Sequence, residues 1–449
     1  MKKKLMFFAA MCLAVVVLFA GCGIVLQGGP DKNDPVYGNG GQAVRKGEWL
    51  YFVNAYKSQE TVNVNGNKFG DEKLSGVYRV KLNSSGLINT NADGMPEGAE
   101  LLVPQITGYE NGGIYIFGEY LYYTTPKTLN DKTGVPQRGL CSFERVKLDG
   151  TNHKTIYSTS EVSSNLTFSY QQIGNFVYII IRNGTEIRSI EVGLSNDKVY
   201  NRLLAEDVES VAFSKVDKNA SNFEQYVYYT KVATVDKDGF DGQKVLRASL
   251  NASVKNEVIK SLSEGGVTLT EIKNSRIYYE MGSKLYSTTG FTTSKQYASS
   301  GTDKISPYFI LPDQNSVDRG ILTNFEGKLV RFWGVGNYQE IETGISEVLS
   351  VIGEFVYIKK SGSDQIVRMR FDGSGGSQTI IGQASLQIEA RNYFDCDGEY
   401  LFYFANVEDS KKMFSYLHMV KIGAQNEEGN LFAQFVGVLD KDDIIEEED

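Results

Sequence analysis

A short pattern of glycine and aromatic residues recurs along this chain, and it restricts the fold more than any other feature of the 449 residues. It reads Gly47-Glu48-Trp49-Leu50-Tyr51-Phe52, Gly118-Glu119-Tyr120-Leu121-Tyr122-Tyr123, Gly174-Asn175-Phe176-Val177-Tyr178-Ile179, Gly353-Glu354-Phe355-Val356-Tyr357-Ile358 and Gly398-Glu399-Tyr400-Leu401-Phe402-Tyr403. Looser copies stand at Tyr226-Val227-Tyr228-Tyr229 and Ile277-Tyr278-Tyr279, and a degraded one at Gly320-Ile321-Leu322-Thr323. The column Tyr51, Tyr122, Tyr178, Tyr228, Tyr278, Leu322, Tyr357 and Phe402 therefore marks eight units, spaced 35 to 71 residues apart and about 50 on average.

Each run is followed by a second apolar stretch, such as Val77-Tyr78-Arg79-Val80-Lys81-Leu82 or Ile366-Val367-Arg368-Met369-Arg370-Phe371, often closing on a turn like Asp149-Gly150 or Asp372-Gly373. Aromatic and β-branched runs of this length, bounded by Gly and Asx turns, are strand and hairpin signals. Composition agrees: 12% of residues are aromatic, and 46 Gly against 8 Pro supply many tight corners. Fifty residues hold four short strands, and a strand-only array leaves exposed edges unless it closes radially. The expected fold is all-β, a β-propeller of about eight four-stranded blades over residues 41–439. Seven blades is the alternative, if the unit around Leu322 is a half-blade.

The amino terminus carries a second specific signal. Lys2-Lys3-Lys4 precede sixteen uninterrupted apolar residues, Leu5 to Ala20, and then Gly21-Cys22-Gly23. This is the charged, apolar and small-residue order of a secretory signal, and it is short for a membrane span of ~20 residues. The ending Leu18-Phe19-Ala20-Gly21-Cys22 resembles the bacterial lipoprotein lipobox, with Phe19 departing from the usual Leu or Val. That resemblance implies a signal peptide over 1–21, diacylation and palmitate-type acylation of Cys22, and a mature chain held on the outer side of the bacterial cell membrane; two acyl chains anchor stably where one binds reversibly. Residues 22–40, rich in Gly, Asp and Asn, read as a flexible tether. Residues 440–449, with seven acids, read as a solvated tail.

With Cys12 in the signal and Cys22 acylated, only Cys141 and Cys396 remain, too few for a disulfide framework. They read either as isolated thiols or as one bridge. The formal charge of −9 becomes −12 once the three signal lysines are lost. No cationic stretch suits phosphate binding, so a nucleic-acid partner is not expected, and the chain is expected to be monomeric.

The repeats resemble the bacterial lipoprotein propellers with Tyr-Tyr and Leu-Tyr-Arg repeats that form a domain-of-unknown-function family, themselves similar to the YWTD propellers of low-density lipoprotein receptors. The resemblance spans about Gly40 to Asp440. It implies architecture and carries no catalytic residue over to this chain.

Chemistry-bearing groupings are few. Arg79, Arg145, Arg188, Arg247, Arg331 and Arg368 recur at what reads as one position in six units. A cationic funnel for an anionic ligand is one reading; a repeated packing device between sheets is the simpler one. Asp236, Asp238 and Asp241 gather hard oxygen donors in one loop and make Ca²⁺ the single candidate ligand, although Phe240 breaks the EF-hand-like spacing and turn chemistry explains the loop equally well. No other cofactor is called for. His153 and His418 are the only histidines, and no nucleophile elbow, phosphate loop or metal motif accompanies them. Asn-x-Ser/Thr triplets at Asn83, Asn165, Asn183, Asn219 and Asn251 read as turn and strand chemistry.

Two function classes stay open. The favoured one is a non-enzymatic surface lipoprotein whose loops bind a protein or polysaccharide of the cell envelope. The other is an extracytoplasmic glycan hydrolase or lyase using two carboxylates. Loop lengths point to where a partner binds. The connection after the aromatic strand is tight at Asn183-Gly184, Gly282-Ser283 and Glu326-Gly327, but it swells to Asn54–Gly76 in the first unit, Thr124–Gly139 in the second and Thr234–Gly242 in the fourth. Long loops on a rigid scaffold tend to be functional. Tyr56, Phe69 and Lys127 are the expected contacts.

Overall fold

The computed structural model describes residues 25–54, 56–57, 76–105, 107, 113–125, 141–159, 163, 165–214, 224–232, 242–262, 265–282, 284–289, 294–297, 307–314, 317–363, 365–381, 394–406, 414–423 and 433–438. Among them there is no helix, and the strands fall into eight antiparallel sheets built from consecutive chain segments. These are the eight blades of a β-propeller. Blade 3 shows the plan: Thr167–Ile173, Phe176–Asn183, Glu186–Gly193 and Val199–Ala205, each paired with the next. The unit around Leu322 is a complete blade as well, with strands Tyr308–Ile310, Ile321–Phe325, Lys328–Gly334 and Asn337–Thr343. Eight blades rather than seven is therefore the count.

The repeating glycine has a backbone reason. Gly47, Gly118, Gly174 and Gly353 have φ between +57° and +61°. They open the two-residue turn between the first and second strands, where glycine takes a left-handed conformation without strain. The aromatic column lies on the second strand of each blade and is buried throughout, with Leu322 taking the same place in blade 6.

Eight hydrophobic clusters lie one in each seam between neighbouring blades, including the seam that joins blade 8 to blade 1. A blade alone buries only part of its two faces, so the ring and its core form together. Closure exchanges no main strand. Instead Asn54 and Val438 bond reciprocally, Nδ2 to carbonyl at 3.0 Å and amide to Oδ1 at 2.9 Å. Gln434 does the same with Ile88, and Arg45 reaches Asp397 and Glu399 at 3.3 and 2.7 Å.

Because each blade is an antiparallel meander, its connections divide between two ends of the disc. The first-to-second and third-to-fourth connections share the turn end; the second-to-third and blade-to-blade connections share the loop end. The insertions after the second strands of blades 1 and 2 therefore emerge together at the loop end. Tyr56–Lys57, inside the first of them, pairs antiparallel with Ser415 and Phe414 of blade 8.

The amino-terminal stretch differs from the expected tether over its described part. Val36–Tyr37 adds an inner strand to blade 1, pairing with Lys46 and Arg45, and residues 26–35 pack against blades 1 and 2. The propeller thus begins before residue 41. Carbonyl groups, which a composition-based reading does not weigh, hold this stretch in place.

Candidate functional site: the seam between blades 1 and 2

Cross-strand register decides what the arginine column is. Arg79, Arg145, Arg247, Arg331 and Arg368 each stand directly opposite the central residue of the preceding strand: Tyr51, Tyr122, Tyr228, Leu322 and Tyr357. Four of these guanidinium groups lie over the aromatic ring two residues earlier, on Trp49, Tyr120, Tyr226 and Phe355, at 4.1 to 4.6 Å. Arg331, whose unit has Gly320 at that place, lies over Trp333 at 5.1 Å. Arg79 and Arg145 are buried, and both reach into the next blade, to the Leu148 and Gly193 carbonyls at 3.0 and 2.8 Å. Arg79 and Arg145 thus bond across seams, whereas Arg247, Arg331 and Arg368 meet Glu257, the Arg319 carbonyl and Gln378 of their own blades; what the column shares is packing over an aromatic ring.

Arg188 is the exception and corrects the six-fold reading. It stands opposite Ile181, three residues off the column, and pairs with Glu186 on its own strand. The column position in blade 3 holds Glu191, which meets Arg202 of the fourth strand at 2.6 Å. Pairing register separates these cases, and residue type along one strand does not carry it.

The first seam carries more polar chemistry than any repeat unit calls for. Arg79 donates to the Gln27 and Gly28 carbonyls at 2.9 and 3.0 Å as well as to Leu148, and pairs with Glu100 at 2.8 Å. In blade 2, Tyr123, Glu144 and Thr155 lie abreast on three successive strands. The Glu144 carboxylate accepts four bonds: from the Ser142 and Thr155 hydroxyls at 3.0 and 3.1 Å, from His153 Nε2 at 2.6 Å, and from the Tyr123 hydroxyl at 3.2 Å. Tyr123 also lies 2.6 Å from His153 Nε2 and 3.3 Å from Gln105 Oε1 of the blade-to-blade connection.

Burial pushes the Glu144 carboxyl up, but His153 and the two hydroxyls outweigh it and hold the group below the usual carboxylate range. Burial, followed by the Glu144 charge, pushes Tyr123 well above an ordinary phenol, so it stays protonated and donates. Glu144 is 3% exposed and His153 44%. A carboxylate with four internal donors is a stable anion tying three strands together; its lone pairs are already engaged. Cross-strand neighbours made this cluster, and the spacing of residues 123, 144 and 153 gives no sign of it.

His418 is buried in blade 8, stacked on Tyr403, with Nδ1 3.1 Å from the Tyr416 carbonyl; burial lowers its pKa. Cys141 is a buried thiol in the core between blades 2 and 3, whereas Cys396 belongs to the first strand of blade 8. All of blade 1 lies between their blades, so the pair makes no bridge. Asn83 and Asn251 accept backbone amides two residues on, as their turn reading expects, whereas Asn165 and Asn183 accept the amides of Gly184 and Ser163 and join two separate segments; Asn219 lies outside the described residues. Cys22, Phe69, Lys127, Asp236, Asp238 and Asp241 lie outside the described residues, as do residues 1–21 and the acidic tail. Tyr56 is described by its strand pairing alone.

A polar groove of about 760 Å³ opens at the turn end of blade 1, lined by Trp49, Glu48, Glu97 and Glu100 among others. Glu100 is bound by Arg79, and Glu48 lies 3.4 Å from Lys81.

No protein-family model matches the chain, and no curated protein matches it. Solved structures that it resembles include apo AztD from Citrobacter koseri, at 10% identity and TM-score 0.42, covering 86% of this chain and 95% of that one. The β-propeller domain of the trilobed protease from Pyrococcus furiosus is similar at 10% identity and TM-score 0.38, over 85% and 94% of the two chains. A nidogen/laminin complex matches at 10% identity and TM-score 0.26, over 68% and 89%.

Proposed function

We propose that this protein is a lipid-anchored, extracytoplasmic propeller that binds a protein or polysaccharide partner of the bacterial cell envelope through the loop end of blades 1 and 2. The observation that carries this reading is the pairing of Tyr56–Lys57 with blade 8. Loop length costs little stability, so length alone does not mark an insertion as functional. This one leaves blade 1 and adds main-chain bonds to its neighbour, with Asn54 clamped to Val438 at its base. That pairing ties the base of the first insertion to blade 8, and a base fixed in advance loses less entropy when a macromolecular partner binds.

The test is binding of the soluble chain from Gly23 to Asp449 to fractionated envelope proteins and to an array of envelope glycans. A variant with residues 58–75 and 126–139 replaced by short Gly-Asn linkers keeps the Tyr56–Lys57 pairing. It should keep its melting temperature and lose the partner. Retained binding by that folded variant places the site elsewhere. The glycan-hydrolase reading rests on the carboxylate-lined groove of blade 1. Turnover of an envelope glycan that Glu97→Gln abolishes, with binding retained, would replace the binding reading with that one.

A further inference from the structure

The stretch just after the expected lipid attachment is clamped to one end of the disc. Leu26 is buried in the core of the first seam, and its amide donates to the Asp149 carbonyl at 2.8 Å, in the turn between the third and fourth strands of blade 2. Arg79 grips the next two carbonyls, those of Gln27 and Gly28. Lys46 Nζ then bridges the Lys32 carbonyl at 3.0 Å and the Gly118 carbonyl at 2.8 Å, and the Gly47 amide donates to Pro35 at 3.2 Å. Gly47 and Gly118 open the first-to-second turns of blades 1 and 2. Residues 26–35 therefore stay at the turn end, opposite the long insertions.

Four peptide steps separate Cys22 from Leu26, and a fully extended chain covers at most ~14 Å in that distance. We infer that, when Cys22 carries acyl chains, the turn end of blades 1 and 2 rests against the lipid headgroups and the loop end faces away from the bilayer; this rests on the lipid-anchored reading above. Strands of about five to eight residues, rising ~3.3 Å each, put roughly 17–26 Å between the two ends. The surface that meets lipid is thus the one around the Asp149-Gly150 turn and its blade 1 counterpart. A partner of the insertions approaches from the far side, so it is a soluble or wall-associated envelope component and not a protein embedded beside the anchor.

The experiment uses the full chain expressed with its own signal in a bacterial host and reconstituted in phosphatidylcholine–phosphatidylglycerol vesicles that contain a headgroup-nitroxide lipid. Cys141 and Cys396 are replaced by alanine, and a fluorophore is attached in turn at Ser84→Cys, Ser195→Cys and Thr185→Cys. All three positions are exposed. Ser84 and Ser195 lie in third-to-fourth connections at the turn end, and Thr185 lies in the tight second-to-third turn of blade 3, at the loop end. Mass spectrometry of the amino-terminal peptide reports the acyl group. The expected result is an acylated Cys22 with quenching several-fold stronger at Ser84 than at Thr185 and intermediate at Ser195. A long Gly-Ser insertion between Gly23 and Leu26 should erase the difference. Acylation with Thr185 quenched as strongly as Ser84 overturns the orientation and spares the anchor. An unmodified Cys22 overturns both.

Discussion

Replacing Arg79 by methionine keeps an apolar stem over Trp49 and removes every bond the guanidinium makes. Three carbonyls lose a charged donor: Gln27, Gly28 and Leu148, at 2.9 to 3.0 Å. A hydrogen bond to a charged group is worth ~1.5–3 kcal/mol, yet Gln27 and Gly28 regain water once the segment lifts, so the sum is less than three full bonds. The Glu100 partner is 35% exposed, which screens the ion pair and keeps its share small. The Leu148 carbonyl, left buried without its donor, costs ~1–3 kcal/mol, and that is the expected loss. Spread over the entropy of a ring this size, ~2.1 cal/mol/K per residue, it lowers the melting temperature by ~1–4 °C. The matched control is Arg188→Met, which lies off the column and has a side chain 32% exposed beside a Glu186 44% exposed; its cost should stay within ~1 kcal/mol. Hydrogen exchange gives a local readout, because the Leu26 amide is protected by the Asp149 carbonyl only while the segment is docked. Arg79→Met should unprotect Leu26, and Arg188→Met should leave it protected. Equal melting shifts in the two variants, or unchanged protection at Leu26 in the first, would refute the assignment of Arg79 to seam bonding.

Three further outcomes are expected. The folded Glu144 carboxyl is held below its ordinary value, so its contribution is complete above the unfolded pKa near 4.5 and is lost as the pH falls through the folded one; Glu144→Gln should cost ~1–3 kcal/mol at pH 7 by thermal melting, and a gap to the wild type that does not shrink below pH ~4.5 would show that the charge is immaterial. The Thr124 hydroxyl is buried with no hydrogen-bond partner among the described residues; Thr124→Val should be neutral or stabilising by up to ~1 kcal/mol in urea unfolding, and a loss larger than that would mean the hydroxyl is bonded in solution. Millimolar Ca²⁺ should raise the melting temperature if Asp236, Asp238 and Asp241 bind it, and the triple Asn variant should remove the effect; identical curves in Ca²⁺ and in EDTA end the metal reading.

The period of the Gly-aromatic pattern determined the class of fold and narrowed the blades to eight or seven, and the complete blade around Leu322 made the count eight. Leu322 occupies a buried position opposite Arg331 as Tyr122 does opposite Arg145. Patterns of this kind are legible because turn preference and in-out alternation act over a few residues. The turn roles of Asn83 and Asn251 were readable for the same reason. What the tertiary structure decided lies between strands and between blades. Arg188 and Arg145 look alike along their strands, and only pairing register shows that one joins two blades and the other does not. Tyr123, Glu144 and His153 meet because three strands lie side by side, which no spacing announces. Gln27 to Pro35 has the composition of a linker, yet it is held by its carbonyls, groups that every residue carries and no side chain reveals. Seam contacts depend on the twist and register that bring distant segments together, and those are properties of the closed ring, with local propensity blind to them.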